Sequence, residues 1–93
     1  MKRYLLMHVG FKTPTPEIMV SWKTWFADVA PHTLENVGLR NGREIGPNGV
    51  RNLPMDGDAI TGFTIISAAS LEEAHALAAT NPFVSSIRIY EMN

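Results

Sequence analysis

The sequence predicts an α+β fold, and four observations along its last third carry the prediction. Residues 61–68 are rich in β-branched and aromatic side chains, as a strand should be. They lead into Ser70-Leu-Glu-Glu73, a capping box in which the serine serves the amide of Glu73 and Glu73 reaches back. Asn81-Pro82 then stops the helix, because proline has no amide to donate and restricts the residue before it. Residues 86–92 alternate as a closing strand.

The first half starts with the same order. Residues 3–9 form a strand bounded by Gly10 and the Thr13-Pro-Thr-Pro16 cluster. Arg3, Leu5, Met7 and Val9 alternate with Tyr4, Leu6 and His8, so both faces are largely apolar and both are expected to be covered. Thr15 caps a helix with Pro16 at its first position and Glu17 in its first turn. Ile18, Trp22, Trp25, Phe26 and Val29 make one apolar stripe, with Val20, Lys23 and Ala27 expected on the far side. The helix ends by Ala30-Pro31, and residues 33–37 read as a second strand.

Residues 43–45 and 50–53 suggest a short hairpin around 46–49, with Asn48-Gly49 expected to supply the tight turn. Residues 54–58 read as a loop. The order β-α-β-(hairpin)-β-α-β is the split βαβ arrangement of ferredoxin-like domains, with a four-stranded antiparallel sheet. Two helices cover one face of such a sheet. The apolar character of the other face predicts a homodimer that pairs sheet to sheet.

Residues 1–93 are expected to form a single domain, and a chain of this length buries only a thin core when alone. A composition 45% hydrophobic and 18% charged suits a folded chain rather than a disordered one. Eight Lys+Arg against nine Asp+Glu, without a run of either sign, argue against nucleic acid or an anionic membrane as partner. There is no cysteine, so neither a disulfide framework nor a thiolate nucleophile is available. The opening apolar run ends at His8, too short for a signal peptide, and no stretch reaches the length of a membrane span. A cytoplasmic location is the expectation.

The chain resembles the YCII-related family, which includes the DGPF proteins. The resemblance lies in the start Lys2-Arg-Tyr-Leu-Leu-Met7, the first helix with Trp25-Phe26, the loop Gly46-Pro-Asn-Gly-Val50 and the segment Ile60-Thr-Gly-Phe-Thr-Ile-Ile66. Ser70-Leu-Glu-Glu-Ala74, Asn81-Pro-Phe83 and Arg88-Ile-Tyr-Glu91 continue it over nearly the whole chain. It implies a ferredoxin-like protomer that pairs into a dimeric α+β barrel, with a pocket between sheet and helices. Some members are proposed to be enzymes through a His–Asp pair whose histidine stands at the start of the first helix. This chain has no histidine in Thr13-Pro-Thr-Pro-Glu17, and Pro54-Met-Asp-Gly57 stands where a DGPF motif would be sought, so the pair is not carried over. Asp28 is the residue that could stand near its carboxylate.

The candidate catalytic residues are His8, Asp28 and His32. His8 shares a strand face with Tyr4, where an imidazole could accept a proton inside a sheet–helix pocket; a core histidine bonded to a neighbour is the plainer reading. Asp28 and His32 are four residues apart, but Pro31 between them opposes a helical pairing. His75 reads as a surface residue of the second helix. The three histidines have no metal-ligand spacing, so no metal and no cofactor is expected. Tyr4, Trp22, Trp25 and Arg88 are the candidate ligand-binding residues: the aromatics could line an apolar pocket, and the guanidinium could recognise a carboxylate. Core packing explains the aromatics equally well. Gly38-Leu-Arg-Asn-Gly42 lacks the following helix that a phosphate loop requires. Two functions therefore stay open. One is a dimer that binds, and transforms by cofactor-free acid–base chemistry, a small organic molecule; the other is a non-catalytic ligand-sensing or accessory dimerisation module.

Overall fold

Alternation in the two longest strands sets the layers of the structure, a computed structural model that describes residues 1–93. Lys2–Val9 (β1) and Ile60–Ala68 (β5) pair antiparallel at the centre of the sheet, from Lys2 opposite Ala68 to His8 opposite Gly62. Ser86–Glu91 (β6) joins the free edge of β1, and Thr33–Gly38 (β2) joins the free edge of β5. The order is β2-β5-β1-β6. Each βαβ unit is thus split by a strand of the other, which is the ferredoxin-like arrangement.

Both helices lie on the face that carries Tyr4, Leu6 and His8. Pro16–Val29 (α1) begins with the Thr15 hydroxyl accepting from the Ile18 amide at 3.2 Å, which satisfies one orphan donor of the first turn. Leu71–Ala79 (α2) begins with Ser70 accepting from the Glu73 amide at 3.2 Å. The Glu73 carboxylate reaches back to the amide of Ala69, one residue beyond the expected Ser70 position. Tyr4, Leu6, Ile66, Ala68, Trp25, Val29, Ala74 and Ala78 form the core. The alanines of α2 let its backbone lie close against β5 and β6, whereas the bulky side chains of α1 hold that helix further off.

The opposite face has no helix over it. Leu5, Met7, Phe63 and Ile65 stand there half-buried, in register with Tyr90 and Arg88 of β6. The molecule is accordingly a slab of 41 × 36 × 18 Å. Its accessible surface is 6383 Å², against about 5,400 Å² for a compact monomer of 10.3 kDa.

Between β2 and β5 the chain projects a separate ribbon of Arg43–Gly46 (β3) and Gly49–Asn52 (β4). Pro47 and Asn48 are its two turn residues, because Gly46 pairs with Gly49; the turn lies one residue earlier than Asn48-Gly49. Gly49 follows the turn at φ +130, a conformation that glycine takes without steric penalty. Ile45 and Val50 pair across the ribbon at 80% and 62% exposure, so nothing in this chain covers them.

One glycine is fixed by close approach rather than by φ. Gly62 sits opposite Gly38, and a Cβ at Gly62 would stand 2.7 Å from the Val37 carbonyl oxygen. Gly62→Ala must push β2 away from β5. Overpacking of this kind costs about 1–3 kcal/mol, so the urea midpoint of the variant is expected to fall, and an unchanged midpoint would show that the strands yield freely.

Candidate functional site

Because α1 stands off from the sheet, a cavity of about 490 Å³ opens between its first half and the ends of the central strands. Ile18, Trp22 and Phe26 of α1 form its roof. Its floor is made by His8 of β1 and Gly62 and Thr64 of β5, and its sides by Asn36–Gly38 and the Phe11-Lys12 loop. The loop is tied in place: the Gly10 amide donates to the Ala59 carbonyl at 2.7 Å and the Phe11 amide to the Asp56 carbonyl at 2.8 Å. Gly10 turns at φ +106 beside Ser85, whose amide nitrogen would lie 2.8 Å from an added Cβ, so only glycine fits this corner.

His8 is 6% exposed and lies among aromatic rings. Trp22 meets it edge-on with ring centroids 5.1 Å apart and planes at 85°, and Trp25 does so at 5.8 Å and 89°. Its Nε2 is 2.9 Å from the Thr64 hydroxyl, which can donate or accept according to the tautomer. Nδ1 is buried without a partner. Burial disfavours the imidazolium and lowers the pKa to about 4, so the ring is neutral at pH 7. A neutral imidazole bonded to a hydroxyl and enclosed by aromatic rings is a weak base at pH 7, and it gives the cavity floor an uncharged polar patch.

The other candidates are dispersed. Tyr4 is wholly inside the core with its hydroxyl unpartnered, and it does not line the cavity. Trp25 is a core residue whose indole N–H donates to the Leu77 carbonyl at 3.0 Å, while it also walls off His8 from behind. Trp22 does line the cavity. Arg88 is exposed on β6 opposite Met7, which puts it on the uncovered face, away from the cavity. Asp28 is exposed on α1 and does not meet His32. The chain leaves α1 through a 3₁₀ turn, Ala30–His32, which directs His32 to the Ser67 carbonyl at 3.2 Å and to Glu73 at 3.9 Å. No group of three or more His, Asp or Glu side chains comes together in the chain.

Five lining residues carry polar chemistry that the sequence does not single out: Lys12, Lys23, Asn36, Thr61 and Thr64. Lys23 lines the cavity rather than the far side of α1, because the lining of the standing-off helix extends from the Ile18–Trp22 row to Met19, Lys23 and Phe26. Thr64 had a signal. It is the polar member of an inward set of Gly62, Thr64, Ile66 and Ala68.

The unfolded chain protonates its histidine at the usual 6.5, whereas the folded one holds the ring neutral until about pH 4. As pH falls, the unfolded state takes up this proton first. Stability is therefore complete above pH 6.5 and is lost from there down to about pH 4. The loss approaches about 3 kcal/mol. His8→Gln keeps a partner for Thr64 and is expected to flatten this part of the curve of Tm against pH; an unchanged slope would assign the loss to other groups.

No family model matches the chain, and no curated protein does. Among solved structures, the chain is similar to the 5-chloro-2-hydroxyhydroquinone dehydrochlorinase TftG from Burkholderia phenoliruptrix AC1100, in complex with 2,5-dihydroxybenzoquinone. The TM-score is 0.58 at 13% identity, over 98% of this chain and 93% of that one, a likeness of fold.

Proposed function

We propose that this chain is a YCII-related protein that works as a homodimer and binds a small organic molecule in the cavity between α1 and the sheet. The observation that carries this reading is the cavity itself, about 490 Å³ walled by Phe11, Ile18, Trp22 and Phe26 over a floor of His8 and Thr64. The volume suits the purpose, since ligand pockets run from about 300 to 1,000 Å³. The dehydrochlorinase of similar fold holds 2,5-dihydroxybenzoquinone, a single flat ring, and a ring of that size is within the reach of this cavity.

The homodimer reading rests on the uncovered sheet face. The whole chain exposes about 1,000 Å² more than a compact monomer, an excess that the uncovered face shares with the projecting ribbon. A second copy seated on Leu5, Met7, Phe63 and Ile65 would bury that face and make a dimeric α+β barrel. Light scattering at micromolar concentration is expected to give twice the chain mass, and Ile65→Glu is expected to give the monomer. A monomeric parent chain would overturn the dimer.

Binding is favoured over catalysis because neither nitrogen of His8 is free at the surface: Nε2 is held by Thr64 and Nδ1 is sealed. Catalysis stands as a second reading because a neutral imidazole paired with a hydroxyl can take a proton once a ligand is seated. Calorimetry with the uncharged probe 2-naphthamide tests the first reading. It is expected to bind the parent chain, and Ile18→Trp, which adds volume at a half-buried position of the roof, is expected to abolish binding. Undiminished binding to that variant would remove the cavity as the site.

A further inference from the structure

Resting on the cavity as the ligand site, we propose that it selects a flat aromatic anion, a ring bearing a carboxylate or phenolate, and that Lys12 and Lys23 read its charge. Two independent features of the lining support this. The first is aromatic: Phe11, Trp22 and Phe26 offer ring faces and edges, with Trp22 and Phe26 at 5.6 Å between centroids and a 40° tilt. Such a wall favours a flat, polarisable guest over a branched aliphatic one.

The second is electrostatic. The chain carries a net charge of -1, yet the only charged side chains of the lining are the two lysines, and no Asp or Glu joins them. They come from different elements, Lys12 from the loop after β1 and Lys23 from α1, so the cavity is flanked by positive charge from two sides. Neither forms an ion pair within the chain. Glu17, the acid of the first helical turn, is exposed and outside the lining. Pro14, just before the Thr15 cap, and Ile18 in the first turn of α1 also line this space, and the positive end of the helix dipole adds to the same sign. An ammonium-bearing guest would meet two like charges with no carboxylate to offset them. His8, neutral at pH 7, contributes no charge of its own and leaves discrimination to the lysines.

The test compares three probes of one shape by calorimetry: 2-naphthoate, uncharged 2-naphthamide and 2-naphthylmethylammonium. The naphthoate is expected to bind the parent chain about tenfold tighter than the amide, which is what two solvent-exposed ion pairs supply. The ammonium is expected to bind weakest. In the double variant Lys12→Met, Lys23→Met, the preference for naphthoate over amide should vanish, while the amide still binds and reports an intact cavity. Raising the salt concentration should weaken naphthoate alone. Equal affinity for naphthoate and amide, or a preference that survives the double variant, would overturn the charge assignment and leave the cavity standing. Failure of all three probes to bind at millimolar concentration would overturn the cavity with it.

Discussion

Two helices can shield only one face of a four-stranded sheet, and they shield it unequally. Both consequences organise this molecule. α2 meets the sheet through Ala74 and Ala78 and packs close, closing one half of the inner face. α1 meets it through Trp22, Trp25 and Phe26, whose bulk keeps the helix away from the strands. Trp25 and Val29 reach the core and fill the C-terminal half of that gap. Over the N-terminal half nothing fills it, and the cavity is the result.

That geometry sets the chemistry of His8. A histidine on the inner face of β1 would be solvated if α1 were absent and tightly packed if α1 lay as close as α2. Here it is enclosed by the edges of two indoles, tied to Thr64 and kept neutral by desolvation. The residues that hold it in place belong to two elements. They are Thr64 on β5, paired with Leu6 and so offset by two residues from the His8–Gly62 pair, and the two tryptophans on α1. The strand ends beside it are brought together by Gly10 at Ser85 and Gly62 at Val37, both places where a side chain would not fit.

The fold was largely legible because its signals are local. Thr15-Pro16 and Ser70 to Glu73 announce the helix starts, and alternation in residues 61–68 announces the central strand. Each is decided within a few residues, by capping and by period. The hairpin was legible to within one residue, since Pro47-Asn48 and Asn48-Gly49 compete as turn centres and only strand pairing decides between them. The site was legible only at His8 and Trp22, which share faces that periodicity can assign. Lys23 was not, because its position depends on how far α1 stands from the sheet, a tertiary quantity. Lys12 and Asn36 were not, because they reach the cavity from a loop and a strand far apart in the chain. Asp28 and His32 are close in sequence, yet the 3₁₀ turn after α1 gives His32 to Ser67 and Glu73 instead.

The site depends on the state of one side chain, and the most direct measurement is the NMR titration of the His8 ring with ¹⁵N-labelled histidine. The predicted result is a neutral ring, one nitrogen protonated, unchanged from pH 8 through pH 6.5 and titrating only as the pH approaches about 4. A His8 ring that titrates at the ordinary 6.5 would mean that water reaches it freely and would contradict its burial between the sheet and the tryptophans of α1.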